Sequence, residues 1–142
     1  MPSIEVLSDA SVLIDATDLS DHVESVAINY SAEVKEARVM GDAGVRRLSG
    51  LKDWSMAFTM RQDYDASKVD ATLQPLVGGS SFAVAVRKSK TDAISATNPE
   101  YQGNGLIDGD LPVIAGDVGE VHDASFTIVG ADGVALVRDV SP

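Results

Sequence analysis

The decisive stretch of sequence is Asp53–Gln62, which reads DWSMAFTMRQ. Large apolar side chains alternate along it with small or polar ones. The apolar set is Trp54, Met56, Phe58 and Met60, and the intervening set is Ser55, Ala57, Thr59 and Arg61. A period of two is typical of a β-strand that buries one face. We therefore predict a strand whose apolar side faces the core.

The same alternation recurs at Ser81–Lys88, at Glu120–Val129 and, more briefly, at Val26–Tyr30. A last strand is predicted over Val134–Val137, because the Asp132-Gly133 pair before it is typical of a hairpin turn. The predicted core residues are Trp54, Met56, Phe58, Phe82, Val84, Phe126 and Ile128. The opposite strand faces carry small side chains, at Ser55, Ala57, Thr59, Ala83, Ala85, Ser125 and Thr127. Lysine and glutamate usually dominate a free surface, so these small residues suit a smooth wall or a close contact.

One segment has helical spacing instead. Its apolar residues are Val69, Leu73, Leu76 and Val77. Residues spaced in this way lie on one face of a helix. Ser67, three residues before Asp70, resembles a weak capping box. We predict a short helix over residues 67–77, distorted near its end because Pro75 cannot donate a backbone hydrogen bond.

Together these patterns predict one mainly β domain over residues 1–142. We expect a β-sandwich or a partly closed β-barrel with the short helix on its flank. Two long segments, 34–51 and 89–119, have weak patterning and are predicted to be loops. Loops of this length are uncommon in compact domains unless they serve a function. In an assembly protein, such loops become ordered against a neighbouring subunit.

The bulk composition narrows the class of protein. There are 22 acidic and 11 basic residues, and the formal net charge is −11. This balance opposes tight binding to nucleic acid, which needs clustered lysine and arginine. The chain has no cysteine, which excludes disulfides and thiolate metal sites. We see no secretory signal and no apolar run of the ~20 residues that span a bilayer, so we expect no membrane association.

A search for catalytic chemistry finds little. His22 lies in a polar turn, and His122 adjoins Asp123, although neighbouring residues on a strand point to opposite faces. Asp108, Asp110 and Asp117 would suit a hard cation, but their order does not match a calcium-binding loop. No phosphate-binding loop or nucleophile elbow is present. We predict a protein that is not an enzyme and needs no cofactor.

Three strings, in this order, resemble the major tail tube proteins of long-tailed (siphovirus-like) phages. The first is DLSDHV at 18–23. The second is MGD at 40–42, followed by RLSGLKDWS at 47–55. The third is QDYD at 62–65, which leads into VDATL at 69–73 and PLVG at 75–78. The resemblance covers roughly the first two thirds of the chain. Gene transfer agents and other tail-like particles contain similar subunits.

The resemblance implies a structural subunit that forms hexameric rings, which stack into a hollow tube through which DNA passes without specific binding. It implies tape-measure, tail terminator and baseplate proteins as partners, and a place in the virion tail after assembly in the bacterial host cytoplasm. The loop at 34–51 would reach the next ring, with Arg38, Asp42, Arg46 and Arg47 as candidate contacts. Two alternatives remain open: a tail terminator or baseplate-hub protein of related fold, and an immunoglobulin-like binding module.

Overall fold

The structure is a computed structural model that describes residues 7, 9–114, 117–133 and 135–141. The strands are β1 (Ser11–Ile14), β2 (Thr17–Asp18), β3 (Val23–Glu36), β4 (Arg47–Arg61), β5 (Phe82–Arg87), β6 (Glu100–Asp108), β7 (Asp123–Gly130) and β8 (Val137–Asp139). One helix, α1 (Val69–Leu73), continues into a 3₁₀ turn at Gln74–Leu76, and a second 3₁₀ turn spans Ser20–His22. The prediction of a mainly β fold with one short helix is confirmed. No helix among the described residues is long and apolar enough to cross a membrane.

The strands form a single open antiparallel sheet in the order β2-β1-β5-β6-β7-β4-β3, and β8 pairs with β6 beside this path. Strand β4 lies next to the edge strand β3 and pairs with β3 on one side and with β7 on the other. Its pairing with β7 begins only at Ser55, although its pairing with β3 begins already at Arg47. The first part of β4 therefore extends beyond the rest of the sheet.

The core lies against one face of the sheet, where the apolar half of each alternating pattern is buried. The seven predicted core residues are all buried, namely Trp54, Met56, Phe58, Phe82, Val84, Phe126 and Ile128. Helix α1 adds Val69 and Leu73 to the same core. Phe58 and Phe126 are stacked across β4 and β7, with ring centroids 5.4 Å apart. The period of two thus sets which side of each strand is buried.

Both predicted loops are shorter than expected. The segment predicted as a loop at 34–51 is mostly strand, because β3 continues to Glu36 and β4 begins at Arg47. The segment predicted as a loop at 89–119 contains the whole of β6. Alternation is weak in both places because few of these strand residues are buried, so the hydrophobic pattern that marks a half-buried strand is missing.

The helix and the last strand also differ from what the sequence predicts. The helix begins at Val69 after Lys68 and not at Ser67, whose φ of 61° is incompatible with a helix, and no side chain caps it. The 3₁₀ geometry starts beside Pro75, where the predicted distortion lies. Val134 lies outside the described residues, and the last strand, Val137–Asp139, pairs with β6 and does not form the predicted hairpin with β7. Tertiary pairing has overridden a local turn signal.

Candidate assembly surfaces

The most exposed part of the molecule is a two-stranded ribbon, which we call the hairpin arm and define as residues 31–53. It consists of the end of β3, the loop at 37–46 and the start of β4. No residue of the arm is buried. The seven residues Arg47–Asp53 of β4 correspond to a length of about 20 Å, at roughly 3.3 Å per residue. An isolated two-stranded hairpin is only marginally stable in water, so the arm is suited to a neighbour that would cover it.

The tip of the arm is a tight turn. The backbone N–H of Asp42 donates to the carbonyl of Val39 at 3.3 Å, and Gly41 has a φ of +98°. Glycine takes this conformation without the steric cost that a side chain would add. The turn leaves the side chain of Met40 fully exposed at the end of the arm.

The arm displays large apolar side chains to solvent. The exposed members are Val34, Val39, Met40, Val45, Leu48 and Leu51. Leu51 is 86% exposed although it lies in a strand. Near it the ladder between β3 and β4 shifts register, so that Gly50 and Leu51 together lie opposite Glu33. A group of exposed large apolar side chains on one projection of a soluble protein is typical of an interaction site.

The four predicted contact residues, Arg38, Asp42, Arg46 and Arg47, all lie on the arm. The Arg46 guanidinium donates to the Asp42 carboxylate at 2.7 Å, which ties the two sides of the tip together. Arg38 lies 3.7 Å from the carboxylate of Glu36, a long and exposed ion pair of little energetic value. Arg47 is exposed at the start of β4, opposite Glu36 in the ladder.

The seven predicted small residues all lie on the sheet face that points away from the core. The register places Ala57 beside Thr127 and Thr59 beside Ser125, and the hydroxyls of Thr59 and Ser125 are 3.2 Å apart. Ala83 and Ala85 lie on the same face of β5, and Ser55 lies on that of β4. All seven are exposed or half-buried. The part of the face that these residues form is therefore smooth and weakly polar, and the Arg61–Asp123 ion pair lies at its end.

Part of this face is concave. A depression of about 440 Å³ lies over β5 and β6. Its floor includes Ala83, Ala85 and Gln102, and its rims include Ala16 and Val137. Small floor residues and a shallow, open shape suit another protein surface better than a small-molecule ligand, which needs an enclosed pocket.

The residues considered for catalysis or metal binding have structural partners or lie apart. His22 Nε2 and the Asp63 carboxylate are 2.8 Å apart, and this pair joins the Ser20–His22 turn to the segment before α1. The backbone N–H of Asp65, together with His22, lowers the pKa of Asp63 below its usual range. Among the described residues, no three histidine, aspartate or glutamate side chains lie close enough to share a metal ion.

Two features of the surface and core were not found by sequence reasoning. One is the cluster of exposed apolar residues on the arm, which lay inside a predicted loop. The other is the row of glycines beneath Trp54, formed by Gly103, Gly105 and Gly130. The signal for part of this row is in the sequence, since Gly103 and Gly105 are two residues apart and so lie on one face of a strand.

Comparison with known proteins finds similarity at the level of structure. No protein family model and no curated protein sequence matches the chain. A chain in the virion of a native gene transfer agent particle is 17% identical, with a TM-score of 0.67 over 93% of this chain and 96% of that one. A chain in the tail of an empty gene transfer agent particle, described with C6 symmetry, is 16% identical, with a TM-score of 0.71 over 96% and 100%. At these identities the chain shares the fold of both along nearly the whole of its length.

Proposed function

We propose that this chain is a structural subunit of a phage-type tail, and specifically a tail tube subunit that forms hexameric rings stacked into a hollow tube. The observation that carries the proposal is the hairpin arm: an exposed, apolar ribbon that has no stabilising neighbour within the described part of the chain. A fold shared with a C6-symmetric tail supports the hexameric ring, because the match leaves no large part of either chain uncovered.

The sheet edges give a second line of support. Strand β3 is the last strand of the sheet at one end, and its 14 residues leave one side without a partner strand in the sheet order. A long open edge favours unwanted pairing with other chains unless it is covered. A closed ring covers such edges by joining each subunit to the next, so a ring is a physically economical way to protect β3.

The small side chains of the sheet face and the negative net charge of the chain both suit a tube through which DNA passes. The small residues of this face, from Ser55 to Thr127, would line a lumen or a subunit contact, and a net charge of −11 would repel DNA and keep it from adhering. In this proposal the tube works with tape-measure, terminator and baseplate proteins, and it resides in the virion tail. Its role is mechanical, without an enzymatic step.

The test is assembly of the purified full-length chain over a concentration series, followed by light scattering and negative-stain electron microscopy. We expect hollow filaments with a regular axial repeat. The double variant Val39→Ser/Met40→Ser should form no filaments. Its melting temperature should be unchanged, because both side chains are exposed in the monomer. Val77→Ser/Val140→Ser is the matched control, since it removes two exposed apolar side chains outside the arm, and it should assemble normally.

The outcomes separate the alternatives. Single closed rings that never stack would favour a terminator or hub protein of related fold. A chain that stays monomeric at every soluble concentration would contradict the proposal and favour a binding module.

A further inference from the structure

The charge of the chain is unevenly distributed. The hairpin arm carries five of the 11 basic residues and four of the 22 acidic ones, so its net charge is +1 and that of the rest is −12. A strongly acidic molecule thus presents one weakly basic, apolar projection. Opposite potentials on two surfaces guide association and fix its register, even where they add little affinity.

A second apolar surface lies in the segment that connects β6 to β7, which we call the far-end loop and define as the described residues among 109–122. Val113, Ile114, Val118 and Val121 are exposed there, and Ile114 is 77% exposed. Residues 109–122 contain three acids, Asp110, Asp117 and Glu120, and no lysine or arginine. The far-end loop therefore combines apolar side chains with negative charge, whereas the arm combines them with positive charge.

The far-end loop is held in place by hydrogen bonds to the end of β4. The Gln62 side chain and the Tyr64 hydroxyl both donate to the carbonyl of Val113, at 3.1 and 2.7 Å. The backbone N–H of Gln62 donates to the carbonyl of His122 at 2.9 Å. These bonds fix both sides of the loop next to the last residue of β4, Arg61.

The arm and the far-end loop lie at opposite ends of the same strand. Strand β4 begins within the arm, near its tip, at Arg47 and ends beside the far-end loop at Arg61, 15 residues in all. At roughly 3.3 Å per residue this strand spans about 45 Å. The tip of the arm cannot reach the far-end loop of its own chain, so only another copy can bring the two surfaces together.

We infer that the hairpin arm of one subunit docks onto the far-end loop of the next copy, in a head-to-tail contact along the direction of β4. The two surfaces differ, so the contact is heterologous and repeats without limit if each copy presents both. Apolar side chains such as Met40 and Val118 form its centre, and arginines of the arm face acids of the loop. The inference deepens the proposed function and rests on it, because it names the surface that receives the arm.

Cysteine cross-linking tests the contact directly, since the chain contains no cysteine of its own. The full-length double variant Met40→Cys/Val118→Cys is allowed to assemble and is then treated with a short bis-maleimide. A head-to-tail contact gives a ladder of covalent dimers, trimers and longer products on a denaturing gel. Either single variant stops at dimers. Met40→Cys/Val77→Cys, with its second cysteine at an exposed site away from the loop, is the control and should also stop at dimers.

Charge reversal provides an independent readout. Arg38→Glu/Arg47→Glu on the arm and Asp117→Lys/Glu120→Lys on the loop should each raise the concentration needed for assembly at least tenfold. Combining all four changes in one chain should restore assembly, because every arm then faces a loop of opposite sign. The melting temperature of each monomer checks that folding is intact.

The results distinguish this inference from the proposed function. If the wild-type chain forms no filaments, the proposed function fails. If the wild-type chain assembles, but loop variants assemble equally well and the Met40–Val118 pair gives no ladder, the arm docks elsewhere and this inference is overturned.

Discussion

The indole of Trp54 lies directly on Gly103 of the neighbouring part of the sheet: a Cβ atom on Gly103 would be only 2.5 Å from Cζ2 of Trp54. A Cβ on Gly130 would be 2.7 Å from Nε1 of the same ring, and one on Gly105 would be 3.2 Å from Cη2. The ring crosses from β4 over the end of β7 to β6, and the three glycines leave the space that it fills. This arrangement closes the core next to the point where the hairpin arm begins.

Gly103→Ala should therefore destabilise the fold by about 1–3 kcal/mol, the usual cost of forcing an extra carbon into a packed core. Urea unfolding of dilute monomer measures the change. Gly44→Ala is the control, because nothing lies within 4 Å of a Cβ at that position. Its effect should stay within about 0.5 kcal/mol, as is usual for surface sites. Equal losses for both variants would contradict the role of the glycine row.

The stacked rings of Phe58 and Phe126 should be energetically coupled across β4 and β7. A double-mutant cycle with Phe58→Leu and Phe126→Leu should give a coupling of about 0.5–1.5 kcal/mol beyond the loss of buried area. The free energies of unfolding of four proteins, the wild type included, supply the cycle. Strictly additive single changes would show that the 5.4 Å contact contributes only burial.

The pair formed by Asp18 and Lys90 predicts a pH dependence at acid pH. Burial alone would raise the pKa of Asp18, but hydrogen bonds from Lys90 and Ser20 outweigh it and lower the pKa from 3.8 to about 2. A carboxyl group whose pKa falls on folding stabilises the native state above its unfolded pKa, and this contribution is lost as the pH falls from about 4 to about 2. Because both side chains are partly exposed, solvent screening reduces the contribution to about 1 kcal/mol.

Asp18→Asn should consequently be less stable than the wild type by about 1 kcal/mol at pH 6, and this gap should narrow as the pH falls through 4 towards 2. Urea titrations at several pH values measure it. Lys90→Gln should reproduce much of the loss at pH 6, and the double variant should add little, since both changes break one pair at 2.8 Å. A gap that is constant with pH would contradict the prediction.

The turn between β1 and β2 offers a stabilising change. Ala16 has a φ of +65°, a left-handed conformation that costs an L-residue roughly 1–2 kcal/mol. Ala16→Gly removes this cost but adds about 0.5–1 kcal/mol of chain entropy to be lost on folding. We expect the free energy of unfolding to rise by about 0.5 kcal/mol and the melting temperature to be slightly higher. A lower melting temperature would indicate that the Ala16 methyl group, at the rim of the concave face, contributes packing that the turn alone does not explain.

The mainly β fold class, the buried face of each strand and the short helix were predictable from the sequence, because each depends on local periodicity. Trp54, Met56 and Phe58 alternate with small residues, and a pleated strand must place such alternating residues on opposite faces. The same rule grouped Ala57, Thr59, Ser125 and Thr127 on one surface before any pairing was known. The candidate arginines of the arm were found through resemblance to a family and not through periodicity.

Tertiary structure alone decided where strands pair and how far they extend. The turn signal at Asp132-Gly133 predicted a hairpin, yet β8 pairs with β6. Strand β7 pairs with β6 only from Gly105 to Asp108, which leaves Glu100–Gln102 on the same side of β6 open to β8. The arm was not predicted as a pair of strands, because a ribbon with no buried face lacks the alternation of apolar and polar residues that indicates a strand. The tip of the arm and the far-end loop lie far apart because β4 is one continuous strand from Arg47 to Arg61. Sequence fixes which side of a strand is apolar, but only the assembled sheet determines what lies at each of its ends.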